Sequence, residues 1–296
     1  MALTINTNIS SLIAQRSLLS ATDALNTSIE RMTTGYKINH AGDNAAGYSI
    51  AMMWDTQIGS LDIAGDNAAS GSDLLTTAEE TYGLILDHIQ RIRDLTEQAA
   101  NGTYGSQSLK AIGAEMESRL NEINRIAANA EYNGIKLMDG TAGTIKLQVG
   151  LLADANGQIE LSNTLFAKAD VKSLFEDIGG LSDGEQVAKV AQQLSGYVAA
   201  GNVSRNQATY LAGLDKVINN ISERVTNIGA AQNRVDSAVT SIDVQIENLT
   251  SSLSTLRDSD IAEESSNYIQ AQILQQASAT LLSTANQLPS IALNLI

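Results

Sequence analysis

The chain has 296 residues, a formal net charge of −15, 4% aromatic residues and no cysteine. Disulfides, Cys-ligated zinc and thiol catalysis are excluded, and so acidic a chain does not suit nucleic acid, whose phosphates need clustered Lys and Arg. Only two histidines occur, His40 and His88, which excludes a His-rich metal site, and the one proline, Pro289, leaves long helices almost unopposed.

The opening, Met1-Ala2-Leu3-Thr4-Ile5-Asn6, has neither a basic n-region nor an apolar h-region. A cleaved secretory signal is therefore not expected. No run of about 18 apolar residues is present to span a membrane. Leu18, Thr22, Leu25, Ile29, Met32 and Tyr36 recur at alternating steps of three and four, which predicts a first helix.

A second helix is expected from about Ala45 to Ala100, with Leu75, Ala78, Tyr82, Ile85, Ile89 and Ile92 as its stripe. Gly65 and Gly71 inside it read as close-packing sites. Gly102 and Gly105 mark a turn. A third helix follows, with Leu109, Ile112, Met116, Leu120, Ile123 and Ile126 on one side. At Asn133-Gly134 the texture changes to short alternating runs. Ile135-Lys136-Leu137, Thr144 to Val149 and Gln158-Ile159-Glu160-Leu161 predict a small β-hairpin region of two or three strands. It is too small to stand alone and must lie on the helices. A short amphipathic helix is expected after Ser182-Asp183, with Val187, Val190, Leu194 and Val198 on one face and Gly201 at its end.

The strongest signal follows. Leu211, Leu214, Ile218, Ile221, Val225, Ile228, Gln232, Val235, Val239, Ile242, Ile246, Leu249, Leu253 and Leu256 recur every 3.5 residues on average, and all but Gln232 are apolar. This is a coiled-coil seam on a rod about 70 Å long, and such a rod needs long partner helices. Gln232 is either a register-setting hydrogen bond or a seam-edge side chain reaching solvent. At the end of the chain Leu274, Ser278, Leu281, Ala285, Leu288, Ala292 and Leu295 keep the same spacing. From Ile261 to Ile296 the only charges are Glu263 and Glu264. A helix so poor in charge exposes an apolar surface that calls for neighbours.

The predicted fold is mainly α: long coiled-coil-like helices from both termini packed side by side, with a small β-hairpin region in the middle of the chain. Identical subunits with heterologous contacts build rings or open helical polymers, so self-assembly is the expected function. Asp43, Asp258 and Asp260 read as caps and turn chemistry rather than metal ligands. No P-loop, G-x-G-x-x-G, H-E-x-x-H or G-x-S-x-G is present. No catalytic, metal or cofactor site is predicted, and the chain is not expected to be an enzyme.

Several blocks also resemble one family, the bacterial flagellins. Ile5-Asn6-Thr7-Asn8 resembles the family's opening. Ile29-Glu30-Arg31-Met32-Thr33-Thr34-Gly35-Tyr36-Lys37-Ile38-Asn39 and Ala41-Gly42-Asp43-Asn44-Ala45-Ala46-Gly47 resemble two further blocks, with Tyr36, Lys37 and Asn44 departing from the usual Leu, Arg and Asp. Gly229-Ala230-Ala231-Gln232-Asn233-Arg234, the stretch from Arg257 to Glu264, the stretch from Ala271 to Ala277, and Asn286-Gln287-Leu288-Pro289 match others in order.

The resemblance implies a filament subunit secreted unfolded through the flagellar type III apparatus and polymerised at the filament tip. It implies inner-tube terminal helices at 1–42 and 257–296, an outer-tube helical domain with a β-hairpin at 43–166 and 205–256, and a short variable surface segment at 167–204. The implied polymerisation seam is Leu18, Leu25, Ile29, Met32, Leu274, Leu281, Leu288 and Leu295. The implied outer-tube seam is Ile218, Ile221, Val225, Ile228, Gln232, Val235, Ile242, Ile246 and Leu249. Implied partners are copies of the chain, an export chaperone covering Ile261 to Ile296, filament cap and hook-junction proteins, and a host Toll-like receptor contacting Arg91, Leu95 and Glu115. Read from sequence alone, Arg91 and Glu115 are ordinary exposed helix charges. The rival readings are a hook–filament junction protein and a soluble coiled-coil signalling module.

Overall fold

The structure is a computed structural model and describes residues 8–101, 103–175 and 203–294. The helix expected after Ser182 lies outside the described residues. In chain order the elements are α1 (Ile9–Thr34), α2 (Ala45–Ala99), α3 (Ser106–Asn129), β1 (Glu131–Tyr132), β2 (Ile135–Lys136), β3 (Ile145–Gln148), β4 (Gln158–Leu161), α4 (Val171–Leu174), α5 (Val203–Arg257) and α6 (Ile261–Asn294). The chain divides into two compact units. Unit one comprises Met1–Gly59 and Ile246–Ile296, and unit two comprises Ser60–Gln245. The units divide within α2 and α5, each of which contributes to both.

In unit two, the α2 stripe forms one core with α3, α5 and the segment after β4. Leu75, Tyr82, Ile85, Ile89, Leu120, Ile123, Phe166, Ile221, Ile228 and Val235 are at or near full burial. Burying aliphatic side chains at this density supplies the main driving force for the unit, about 1.5–3 kcal/mol for each large side chain.

The β region holds two antiparallel hairpins and four strands. β1 pairs with β2 in the register Glu131↔Lys136 and Tyr132↔Ile135, and β3 pairs with β4 from Ile145↔Leu161 to Gln148↔Gln158. The strand at Glu131–Tyr132 is the one the sequence reading lacked. Its turn was visible: Asn133 and Gly134 have φ of 47° and 80°, the left-handed pair that a two-residue hairpin needs. The β3–β4 hairpin docks where α2 has no side chain. A Cβ at Gly71 would lie 2.3 Å from Leu147 Cδ1, and Asn67 Nδ2 donates to Gln148 O at 3.2 Å.

Tyr82 anchors the segment that follows β4. Its hydroxyl donates to Ala167 O at 3.0 Å, and Arg224 Nη1 donates to the carbonyls of Ala167 and Lys168, each at 3.2 Å. The buried tyrosine thus ties α2 and α5 to a loop that has few backbone bonds of its own.

In unit one, α1 packs on α6. Ser11 Oγ bonds Asn286 Oδ1 at 2.7 Å, Thr22 Oγ1 accepts from Gln275 Nε2 at 3.1 Å, and Arg31 Nη1 meets Glu264 Oε1 at 3.0 Å. Rising numbers on α1 meet falling numbers on α6, so the pair is antiparallel. α1 is capped by the Asn8 side chain, which accepts from Ser11 N at 3.1 Å, and ends at Gly35 with φ 76°.

The corners that follow α1 and α5 are stitched together. Lys37 N donates to Arg257 O at 2.7 Å and Ser259 N to Gly35 O at 2.8 Å. The Arg257 guanidinium lies 4.1 Å from the centre of the Tyr36 ring and bonds Asp55 Oδ2 at 3.1 Å.

Candidate self-assembly surface

The terminal pair is held by small side chains. On α1 the buried positions are Ala14, Ala21 and Ser28, and on α6 they are Glu264, Ala271, Ser278 and Ala285. Both sets step by seven. Thr22 opposite Gln275 sets Ala21 between Ala271 and Ser278, so the two sets interleave. Small residues at one position per heptad let two helices approach closely, but they bury little apolar area.

The large apolar side chains are elsewhere. Ile9, Leu12, Ile13 and Leu19 on α1, and Ile269, Ile273, Leu274 and Leu281 on α6, are between 51% and 63% exposed. They lie all round the pair. Leu274 and Leu281 flank the seam, whereas Leu12 and Leu19 face away from it. Large apolar side chains left open on several sides of a helix pair call for other helices to cover them and mark an interaction site.

The residues singled out in the sequence fall in three places. Leu18 and Leu25 are half-buried beside the seam, while Ile29 and Met32 are exposed at 45% and 36%. The Leu288 side chain and Leu295 lie outside the described residues, as do Ile5, Asn6 and Thr7. On α5, Ile221, Ile228, Val235 and Ile242 are buried, and Ile218, Val225, Gln232, Ile246 and Leu249 are half-buried. Gln232 Nε2 donates to Glu79 Oε2 at 2.8 Å, so this seam position carries a hydrogen bond from α5 to α2.

Arg91 Nε bonds Glu115 Oε1 at 3.2 Å, and Arg119 bonds the same oxygen at 3.1 Å. The hydrogen bond from Arg119, reinforced by Arg91, holds the Glu115 carboxyl below its ordinary range. Leu95 is 1% exposed within the core, so of these three residues only Arg91 and Glu115 present side chains at the surface.

The aspartates act in turns and caps. Asp43 Oδ2 accepts from the backbone N–H groups of Asn39 and His40, both at 3.0 Å, and those bonds lower its carboxyl pKa, the His40 bond most. Asp260 Oδ1 accepts from Ala262 N at 2.8 Å at the start of α6, and Asp258 accepts from Ser254 Oγ at 2.6 Å. Among the described residues no group of three or more His, Asp or Glu side chains could hold a metal ion. Among those residues, no helix is long and apolar enough to cross a membrane.

What sequence reasoning missed is the division of labour on the terminal helices. It grouped Ser278 and Ala285 with Leu274 and Leu281 on one stripe. The signal was the seven-residue recurrence of small residues alone, which separates the closed seam from the open face.

Comparison with known proteins agrees with this arrangement. The family model for the bacterial flagellin N-terminal helical region matches residues 5–143, and that for the C-terminal helical region matches residues 211–296. Polar flagellin F of Vibrio parahaemolyticus is 30% identical over 378 aligned positions, and flagellin E of Vibrio cholerae is 31% identical over 376, with the whole of each chain covered. Set against 296 residues here, 378 aligned positions leave at least 82 with no counterpart in this chain. A solved structure of a flagellar hook-associated protein from Vibrio parahaemolyticus shares the fold, with a TM-score of 0.60 at 15% identity, covering 73% of this chain and 100% of that one. The fold therefore extends beyond filament proteins, while the two helical-region matches and the full-length relatives decide the family. This chain belongs to the bacterial flagellins, as a short form whose central stretch, 144–210, neither helical-region model matches.

Proposed function

We propose that this chain is the repeating structural subunit of a bacterial flagellar filament, with a mechanical and not a catalytic role. The observation that carries this reading is the terminal helix pair: its seam is closed by small residues while its large apolar residues remain open all round. Covered by neighbouring copies, that surface forms the inner layer of a tube. The polymer is extracellular and serves motility.

The same reading includes the route to the filament. The chain leaves the cell unfolded through the flagellar export channel and adds at the tip beneath a cap. An export chaperone shields the segment from Ile261 to Ile296, and junction proteins join the filament to the hook. The lack of cysteine and the near absence of charge in that segment support this. To test the main reading, the full-length protein is seeded with filament fragments and viewed by electron microscopy. Long filaments are expected, and deletion of Ile261 to Ile296 should abolish them. Failure of the intact chain to polymerise, unchanged by that deletion, defeats the proposal.

Recognition of the monomer by a host Toll-like receptor is a second proposal, favoured by the exposed Arg91–Glu115 pair on the adjoining faces of α2 and α3. The expected result is receptor-reporter activation by wild-type monomer and a loss with Arg91→Ala. No activation by the wild type removes it.

A further inference from the structure

α1 carries four charges, and among the described residues two of them have ion-pair partners. Glu30 meets His40 at 2.7 Å and Arg31 meets Glu264 at 3.0 Å. Arg16 and Asp23 form no ion pair among the described residues, and both are exposed. They are seven residues apart, so they lie on one face, about 20° apart around the helix and about 10 Å apart along it. That face is turned about 180° from Ala14 and hence from the buried seam. The same side of α1 holds a shallow groove of about 260 Å³ lined by Leu12, Ile13, Gln15, Arg16 and Leu19.

We infer that this face seats α1 of a second copy, held in register by an ion pair between Arg16 of one copy and Asp23 of the next. This rests on the filament reading and specifies one of its contacts. If the apolar side chains around Arg16 are covered on assembly, an arginine left without a carboxylate is costly, as is an aspartate left without a cation. α6 of a neighbouring copy cannot supply either charge along most of its length, because after Glu264 it has none. α1 supplies both. Two copies running in the same sense and offset by one heptad bring Arg16 over Asp23, with Leu12 and Leu19 beside them. An offset of this kind is heterologous, because Arg16 of one copy and Asp23 of the other make the pair. The charged pair gives the apolar face a preferred register, which apolar packing alone sets weakly.

The test uses full-length protein and the critical concentration for seeded assembly. Arg16→Glu and Asp23→Arg should each raise it by about tenfold or more, because each places like charges in contact. The double variant R16E/D23R restores an opposite pair in the reverse sense and should return to within a few-fold of wild type. Circular dichroism of the monomers checks that helicity is unchanged. If a charge reversal lowers it, the milder Arg16→Gln and Asp23→Asn stand in, each raising the critical concentration by a smaller factor. Single variants that assemble like the wild type overturn the inference, as does a double variant no better than the worse single one. An effect at Arg16 with none at Asp23 also overturns it, since Arg16 then meets a different acid. In each of these cases the wild type still polymerises and the filament reading stands. A wild type that does not polymerise removes both.

Discussion

Arg31, in the last turn of α1, donates through Nη1 to Oε1 of Glu264, in the first turn of α6, at 3.0 Å, and the Glu264 side chain is 6% exposed. Both residues also sit at the helix end that favours their charge: a cation near a C-terminus and an anion near an N-terminus. The contact is one-armed, because Arg31 Nε and Glu264 Oε2 are buried without a hydrogen-bond partner. Arg31→Ala strands a nearly buried carboxylate, and we expect a cost of about 2–3 kcal/mol, discounted because the Arg31 side chain is 32% exposed. Glu264→Gln, which keeps the shape without the charge, should cost less. Thermal melting of assembled filaments reads the difference: Arg31→Ala should melt lowest, and equal melting of wild type and Arg31→Ala contradicts this account.

Two glycines of α2 that look alike in sequence should respond in opposite directions. A Cβ at Gly71 would lie 2.3 Å and 2.9 Å from the two δ-methyls of Leu147, whereas nothing lies within 4 Å of one at Gly65. Gly71→Ala must displace the Leu147 side chain, and with it the seating of the β3–β4 hairpin, and should destabilise unit two by about 1–3 kcal/mol. Gly65→Ala gains helix propensity without a clash and should stabilise by about 0.5–1 kcal/mol. Urea midpoints of the two variants should fall on either side of the wild type.

Tyr82 should make stability sensitive to alkali. Burial raises its hydroxyl pKa above the ordinary value of 10.0, outweighing the opposing effect of Arg224. The folded chain therefore holds this proton at pH values where the unfolded chain has lost it. The contribution is fully present below pH 10.0 and is lost as pH rises from there toward the raised folded value. Tyr82→Phe should be less stable than wild type at neutral pH by about 1 kcal/mol, because Ala167 O loses a donor. The gap should narrow above pH 10.0. Denaturation at a series of alkaline pH values checks this; a gap that stays constant across the series contradicts it.

The contrast between Gly65 and Gly71 also shows how far the sequence could be read. The long helices were legible because their apolar residues recur over many turns: the predicted start at Ala45 and the turn at Gly105 lie where α2 begins and α3 follows. Close packing at Gly71 was legible as a possibility only, since Leu147 is 76 residues away and nothing local says which glycine it meets. The strand at Glu131–Tyr132 was lost because two residues are too few for periodicity, although Asn133-Gly134 announced the turn. At Gln232, the sequence offered a register-setting hydrogen bond or a seam-edge side chain reaching solvent, and its half-buried bond to Glu79 depends on a residue of another helix that spacing does not reveal. On the terminal helices the three-four spacing gave the apolar stripe but not its partner. Spacing records which residues share a face, and whether that face closes on the same chain depends on side-chain size across two helices.

Ala21 is 6% exposed in the seam between α1 and α6, while Leu281 is 61% exposed on the open face. Ala21→Leu inserts bulk where the helices approach closely, so it should cost about 1–3 kcal/mol in the pairing of α1 with α6. Leu281→Ala leaves that pairing intact and removes apolar area that only a neighbouring copy can bury. Its cost should appear in assembly alone, at about 1–2 kcal/mol, which raises the critical concentration by about tenfold. A short bifunctional thiol crosslinker separates the two effects, with cysteines placed at Thr22 and Gln275, whose side chains meet at 3.1 Å across the pair. Crosslinking in dilute monomer should fall in the Ala21→Leu background and be unchanged in the Leu281→Ala background. If Leu281→Ala lowers crosslinking in the monomer, Leu281 belongs to the seam within the molecule, and the division between a closed small-residue seam and an open apolar face is wrong.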